Sequence, residues 1–379
     1  MFIPRIIELD KITDKKSLFL LGPRQTGKSS LIKKTYPDSP LYNLLDATIY
    51  RQFSADPSRL RKEILAMASQ PDLVIIDEIQ RIPELLNEVH LMIEDYGIKF
   101  LLTGSSARAL RKKGVNLLAG RARSRRLHPF IYSELGDHFD LSRALTYGTL
   151  PYIYFSDSPQ EDLSEYTGIY LKEEIAAEGL TRNIPAFSRF LEVAALSNGS
   201  MLNYSNIASD AEVKRSTVVD YFQLLRDTLL GDDLPAWQKT SKRKAIGTAK
   251  FYFFDQGIVN FLSKNNLIQS GSSLFGQAFE NFIYHELKTF CDYNPLKSLY
   301  YWRSKSQYEV DFILEEKFAI EVKGKSTLNQ QDFKGLKALR EENLLEKYII
   351  VSCVDRAYVE DGIKVYPWKD FLKNLWHGL

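Results

Sequence analysis

The residues Gly22-Pro23-Arg24-Gln25-Thr26-Gly27-Lys28-Ser29, followed by Ser30, fit G-x-x-x-x-G-K-[ST] at every fixed position. Each residue type has a chemical reason. Glycines let successive backbone N–H groups face phosphate oxygens, and the start of a helix adds its positive dipole. Lys28 neutralises terminal phosphate charge, and the Ser29 hydroxyl ligates Mg²⁺. An apolar run over 17–21 precedes the loop and a helical stretch from Lys28 to about Thr35 follows it, which is the strand, loop and helix this chemistry needs. The plainer alternative is a glycine-containing turn before an ordinary helix. ATP and Mg²⁺ are the expected ligands.

Asp77 and Glu78 follow the apolar run Leu73-Val74-Ile75-Ile76. A strand buried on both faces would project Asp77 beside the loop as the second Mg²⁺ partner and leave Glu78 to polarise an attacking water. Read alone, the pair is a solvated strand end; read with the upstream loop, it is hydrolytic. Ser105 ends the next buried run, 99–104, where it would report phosphate occupancy or cap the following helix. Between Asp95 and Glu134 no acidic residue occurs, yet Lys99, Arg108, Arg111, Lys112, Lys113, Arg121, Arg123, Arg125 and Arg126 do. A charge run is usually a solvated face. The sharper readings are phosphate contacts to nucleic acid, or an arginine acting in a neighbour's site, for which Arg121 is the candidate.

A second constellation lies further on. Alternation in Tyr308-Glu309-Val310-Asp311-Phe312-Ile313-Leu314 puts Glu309 and Asp311 on one face, and in Phe318-Ala319-Ile320-Glu321-Val322-Lys323 it pairs Glu321 with Lys323. Only three residues separate the runs, so a hairpin would bring Asp311, Glu321 and Lys323 together. Two carboxylates can hold Mg²⁺ at a scissile phosphate while a lysine orients water, and Glu280 could supply an outer ligand. The pattern resembles the D…E-x-K core of restriction-endonuclease-like nucleases. An edge hairpin with a surface ion pair, or the nuclease fold with its activity lost, fits the same residues.

Between the two sites, a short helix from Met201–Ala208 and a second opening at Lys214-Arg215 precede candidate strands at Leu229–Trp237 and Lys250–Phe254, the order of a winged helix. Lys214 and Arg215 would open the recognition helix, and Lys242, Arg243 and Lys244 would sit at the wing tip, making DNA the expected partner. A packing module with a solvated basic loop is the alternative.

The elements that must position these residues are legible in outline. Strands at 41–46, 73–76 and 99–104 alternate with helices at 58–69 and 84–96, predicting an α/β fold with a parallel sheet. Four segments follow: a core at 1–130, a helical lid at 131–186, the winged-helix module at 187–262 and an α/β nuclease-like domain at 263–379. A length of 379 residues suits two or three domains. The 50 Lys and Arg against 48 Asp and Glu leave a net charge of +2, so no global field drives the chain to nucleic acid or membrane. No apolar run reaches the roughly 18 residues of a membrane span, and the start lacks a signal-peptide apolar stretch. Cys291 and Cys353 give neither a disulfide framework nor zinc-type spacing. A cytoplasmic protein without a membrane partner is expected.

Together with the phosphate loop, Asp77-Glu78-Ile79-Gln80-Arg81-Ile82-Pro83, Leu102-Thr103-Gly104-Ser105-Ser106, Leu118-Ala119-Gly120-Arg121 and Lys250-Phe251-Tyr252-Phe253-Phe254-Asp255-Gln256-Gly257 resemble, in that order, a widespread group of prokaryotic AAA-type ATPases with a C-terminal domain of unknown function. The resemblance implies an AAA-type core with a helical lid and leaves homo-oligomerisation and the substrate open. The expectation is an ATP-hydrolysing protein acting on, or regulated by, DNA. The competing expectation is a nucleotide-dependent switch or adaptor whose C-terminal fold is an inactive scaffold.

Overall fold

The computed structural model describes residues 2–106, 118, 120–170, 183–265, 268–294 and 297–378. Arg108, Arg111, Lys112 and Lys113 of the basic run lie outside the described residues. The chain forms two units, Met1–Pro129 with Leu225–Leu230, and Phe130–Leu224 with Gly231–Leu379.

In the first unit β1 (Ser17–Leu21), β2 (Leu41–Asn43), β3 (Leu73–Asp77), β4 (Lys99–Gly104) and β5 (Ala122–Arg126) make one parallel sheet, ordered β2-β3-β4-β1-β5. β1, β3 and β4 are apolar runs because helices and loops cover both their faces; Leu18, Leu20, Val74, Ile76, Leu101 and Leu102 are buried. Since β4 is inserted between β1 and β3, the carboxyl ends of these three strands lie side by side, the place where open α/β sheets bind ligands. β5 escapes sequence reading. Its residues, Ala-Arg-Ser-Arg-Arg, are half-buried on the sheet edge and carry no apolar signature. It gives Arg123, Arg125 and Arg126 a structural place in the basic run.

In the second unit, helices Ile184–Leu196, Tyr204–Asp210 and Arg215–Asp227 accompany β6 (Ser200–Met201), β7 (Gly231–Leu234) and β8 (Lys250–Phe253), an antiparallel sheet ordered β6-β8-β7; the last turn of the third helix belongs to the first unit. A six-stranded sheet follows: β9 (Leu299–Arg303), β10 (Glu309–Leu314), β11 (Phe318–Lys323), β12 (Lys347–Ser352), β13 (Tyr358–Glu360) and β14 (Ile363–Pro367), ordered β13-β14-β12-β11-β10-β9. β9 to β11 are antiparallel neighbours, and β12 runs parallel to β11 after the crossover helix Lys334–Arg340. Phe279, Ile283, Phe312, Ile320 and Phe371 gather one core of this sheet, and Val310, Ile313, Ala319, Leu336 and Ile350 the other.

Apart from Leu225–Leu230, the segments expected as lid, module and C-terminal domain fall in this one unit. Asp255 shows why. Its carboxylate caps the helix Gln256–Leu262 through Gly257 N (2.9 Å) and also accepts from Thr149 N (2.8 Å). Gly257 lies so close to Tyr147 O that a Cβ would come within 2.0 Å. The sequence around Asp255-Gln256-Gly257 is therefore a joint between segments.

A second joint is acidic. Glu286 is fully buried, Tyr132 N donates to its Oε1 at 2.6 Å, and its Oε2 has no partner among the described residues. Burial pushes this carboxyl up to about 8; the Tyr132 amide opposes the rise and Glu134 adds to it. Between its ordinary value near 4.5 and about 8 the folded protein keeps a proton that the unfolded chain has lost. The unfolded state binds fewer protons there, so this contribution to stability is intact below the window and declines as pH rises through it. In urea melts, Glu286→Gln is expected to flatten that decline, which is at most about 1.4 kcal/mol per pH unit. An unchanged slope would assign the decline to other groups.

Candidate functional site

β1 hands the chain to the loop 22–27, which opens the helix Lys28–Thr35. Gly27 has φ +93°, a left-handed conformation that glycine adopts freely. Gly22 passes the carbonyl of Leu127 so closely that a Cβ would come within 2.5 Å. The loop is pinned at three points: Thr26 Oγ1 donates to Pro23 O (2.9 Å), Arg5 Nη1 donates to Thr26 O (2.8 Å), and Gly22 N donates to Gly104 O (3.2 Å). Lys28 is buried, its ammonium donating to Gly22 O (2.7 Å) and Pro23 O (2.9 Å). Arg24 is half-buried, while Gln25, Ser29 and Ser30 are exposed.

Ser29 Oγ donates to Asp77 Oδ2 at 3.0 Å. Two hard oxygen donors at the start of a helix suit Mg²⁺. Thr103, on β4, donates to the other Asp77 oxygen and accepts from Glu78 N at 3.1 Å. Glu78 sits at φ +63°, a left-handed conformation costly for a residue with a side chain. Its Oε2 accepts from Gln80 Nε2 and, at 3.5 Å, from Ser105 Oγ; Gln80 Nε2 also donates to Ser105 Oγ at 3.1 Å. Ser105 thus touches the acidic side chain. Arg121, expected to act in a neighbour's site, is placed in an exposed ion pair with Glu94 of its own unit.

In the second unit the β10–β11 hairpin brings Asp311, Glu321 and Lys323 together. Asp311 Oδ2 accepts from Val322 N (2.8 Å), and Lys323 Nζ donates to Glu321 Oε1 (2.5 Å). The β9–β10 register slips between Val310 and Ile313, an irregularity that bends a strand and re-aims its side chains. A residue from outside the hairpin joins them: Lys250 of β8 reaches Glu309 Oε1 at 2.7 Å and Glu280 Oε1 at 3.6 Å. Tyr252 Oη donates to Glu280 Oε1 (2.8 Å), and Arg303 Nη1 pairs with Glu309 Oε2 (3.2 Å). Burial, then the charge of Asp311, raises Glu321 and Glu280 above the usual carboxylate range. Burial lowers the Lys250 ammonium, but Glu280, Asp311 and Glu309 outweigh it and hold the group above the ordinary lysine range.

The expected metal set of Asp311, Glu321 and Glu280 carries ammonium partners, Lys323 on Glu321 and Lys250 on Glu280. Among the described residues no three His, Cys, Asp or Glu side chains are gathered to hold a metal ion. Lys250 bridges Glu280 and Glu309, and each ammonium supplies positive charge that a divalent cation would otherwise bring. The expected basic tip has acidic partners. Glu342 accepts from the backbone N–H groups of Ser241, Lys242 and Arg243 at 2.8–3.0 Å. Lys242 Nζ donates to Glu341 O (2.5 Å), and Arg243 pairs with the Glu341 carboxylate (2.6 Å). Lys242 remains exposed and Arg243 half-buried while making these contacts. Lys244, like Lys214 and Arg215, is exposed.

Thr103, Gln80, Arg5 and Lys250 were missed by sequence reasoning. Only Lys250 carried a usable signal, as a lysine opening a strand that is otherwise aromatic and buried throughout.

The first unit joins a five-stranded parallel sheet to a phosphate-loop sequence, with Lys28 and Ser29 opening the helix after β1 and Asp77 closing β3. The AAA domain family matches residues 14–136, and two domains of unknown function match residues 138–268 and 275–371. The chain is 25% identical over 320 residues to the uncharacterized protein Rv2008c of Mycobacterium tuberculosis, covering 82% of this chain and 70% of that one. It is 25% identical over 357 residues to the uncharacterized protein MJ1544 of Methanocaldococcus jannaschii, covering 84% and 77%. Among solved structures it is similar to the Walker-type ATPase PABY2304 of Pyrococcus abyssi, at 15% identity and TM-score 0.46, over 67% of this chain and 93% of that one. Among the described residues no helix is long and apolar enough to cross a membrane.

Proposed function

We propose that the first unit binds ATP with Mg²⁺ and hydrolyses it, and that the second unit makes this turnover responsive to DNA. The hydrolysis reading is carried by the polar chain Ser29–Asp77–Thr103–Glu78, which links the loop after β1 to the ends of β3 and β4. Lys28 exchanges the carbonyls of Gly22 and Pro23 for terminal phosphate oxygens. Ser29 and Asp77 hold Mg²⁺, which supplies charge neutralisation at the phosphates. Glu78 takes the proton of the attacking water, with Gln80 and Ser105 fixing its carboxylate.

The DNA reading is supported by the three helices and β6-β8-β7 sheet, the order of elements in a winged helix, with Lys214 and Arg215 exposed at the start of the third helix. ATP turnover measured with and without duplex DNA tests it. Stimulation is expected in the parent protein and is expected to be lost in Lys214→Ala/Arg215→Ala. The logarithmic salt slope of DNA binding should fall by about two, one for each phosphate contact removed. Lys242→Ala should change little, because its ammonium is spent on Glu341 O.

ATP turnover indifferent to DNA would favour the second reading, a nucleotide-dependent switch whose C-terminal fold is a scaffold. The pairing of Lys250 with Glu280 and Glu309 gives that reading specific support. The order helix, β9, β10, β11, helix, β12 supports a nuclease-like fold under either reading.

A further inference from the structure

Four carboxylates, Glu280, Glu309, Asp311 and Glu321, lie on the helix Ser273–Tyr293 and the β10–β11 hairpin, near enough for their charges to act on one another and on Lys250. Three cations answer them: Lys250, Arg303 and Lys323. Two of the cations are local. Lys323 belongs to the same strand as Glu321, and Arg303 to the strand beside Glu309. Lys250 is different, because it arrives from a separate sheet and is only 5% exposed. Its aliphatic stem is buried with β8, so the ammonium is delivered to one point. Glu321 Oε2 is buried with no partner among the described residues, so the cluster retains an acceptor after its lysines are counted. Beside Lys250 lies a cavity of about 580 Å³, lined by Lys250, Tyr252, Gln256, Glu280, Arg303 and Glu309 among others, which gives solvent and small cations a route to Glu280 and Glu309.

We propose that Lys250 is the resident cation of this carboxylate cluster, standing in for a divalent metal ion and keeping metal out while β8 is docked. The inference rests on the nuclease-like reading of the second unit. Removing a cation from buried carboxylates leaves negative charge that must be neutralised by protons or by an incoming ion. With the ammonium gone, a divalent cation gains the vacated charge and the Glu309 and Glu280 oxygens that Lys250 held. In the intact protein it would have to displace a hydrogen-bonded ammonium first.

Calorimetric Mn²⁺ titration of the nucleotide-free full chain tests this. Every variant is made in an Asp77→Asn background, so that the first unit contributes no metal site. Lys250→Met is expected to bind one Mn²⁺ at least ten-fold more tightly than the Lys250 protein, and adding Asp311→Asn should abolish the gain. Thermal melts confirm that each variant is folded. The Lys250 protein also tests the idea by itself, should Lys250→Met fail to fold. Tight Mn²⁺ binding there, lost on Asp311→Asn, would overturn the inference about Lys250 and leave the nuclease-like reading standing. A folded Lys250→Met protein that binds no Mn²⁺ would overturn the metal-site reading of the cluster, and the inference with it.

Discussion

Glu78→Gln is expected to lower the rate of ATP hydrolysis by about 10²–10⁴-fold, the usual contribution of a positioned general base, while ATP binding persists. The geometry separates the two effects. Glu78 belongs to the end of β3, and its contacts run to Thr103, Gln80 and Ser105 rather than to the loop 22–27. Glutamine has the same shape and keeps an oxygen to accept from Gln80, so the left-handed turn at residue 78 is undisturbed. What it loses is basicity. The backbone itself argues that the position is used, because a side-chain-bearing residue at φ +63° is held there against its own preference, here by the bond from its N–H to Thr103 Oγ1. Steady-state phosphate release and binding of a fluorescent ATP analogue, measured on the same preparation, give both quantities. Turnover within about three-fold of the parent would move the water-activating role to another group.

How much of this was readable beforehand depends on what each element buries. β1, β3 and β4 are covered on both faces, so their sequences had to be apolar runs, and those runs announced the sheet together with the polar residues at its edge. The half-buried edge strand β5 needs no such run, and Ala122–Arg126 reads as part of a basic surface. The hairpin carrying Asp311, Glu321 and Lys323 was legible because a period of two fixes which residues share a face. Its pairing with a lysine from another sheet was not. The distance in sequence from Lys250 to Glu309 hides the contact, and no local pattern reports which strand a lysine will be carried against. The same holds for Arg243 and Glu341, which pair across nearly a hundred residues and turn an expected free loop into a docked one. Thr103 was hidden for a different reason, since a hydroxyl within an apolar strand reads as tolerated polarity until the strand order places it between Asp77 and Glu78.

Lys28→Ala is expected to abolish measurable ATP turnover, a loss of at least about 10²–10³-fold on the scale set by removing one preorganised charge-stabilising donor. The structure adds a second consequence. In the nucleotide-free protein the ammonium satisfies the carbonyls of Gly22 and Pro23, so it holds the loop as well as awaiting phosphate. Nucleotide binding transfers those bonds to the phosphates, and the transfer is visible without any turnover. Binding to the folded state alone stabilises it by about 4 kcal/mol when ligand exceeds its dissociation constant a thousand-fold, so MgATP should raise the melting temperature of the parent protein. Lys28→Ala should show no such rise, and it should also melt slightly below the nucleotide-free parent because two buried carbonyls have lost their donor. Lys28→Arg discriminates further. A guanidinium can still reach the loop carbonyls but is larger and planar, so it should restore the melting temperature of the free protein without restoring turnover. If Lys28→Ala kept the MgATP-induced rise, the phosphates would have to be held elsewhere, and residues 22–29 would be a structural turn.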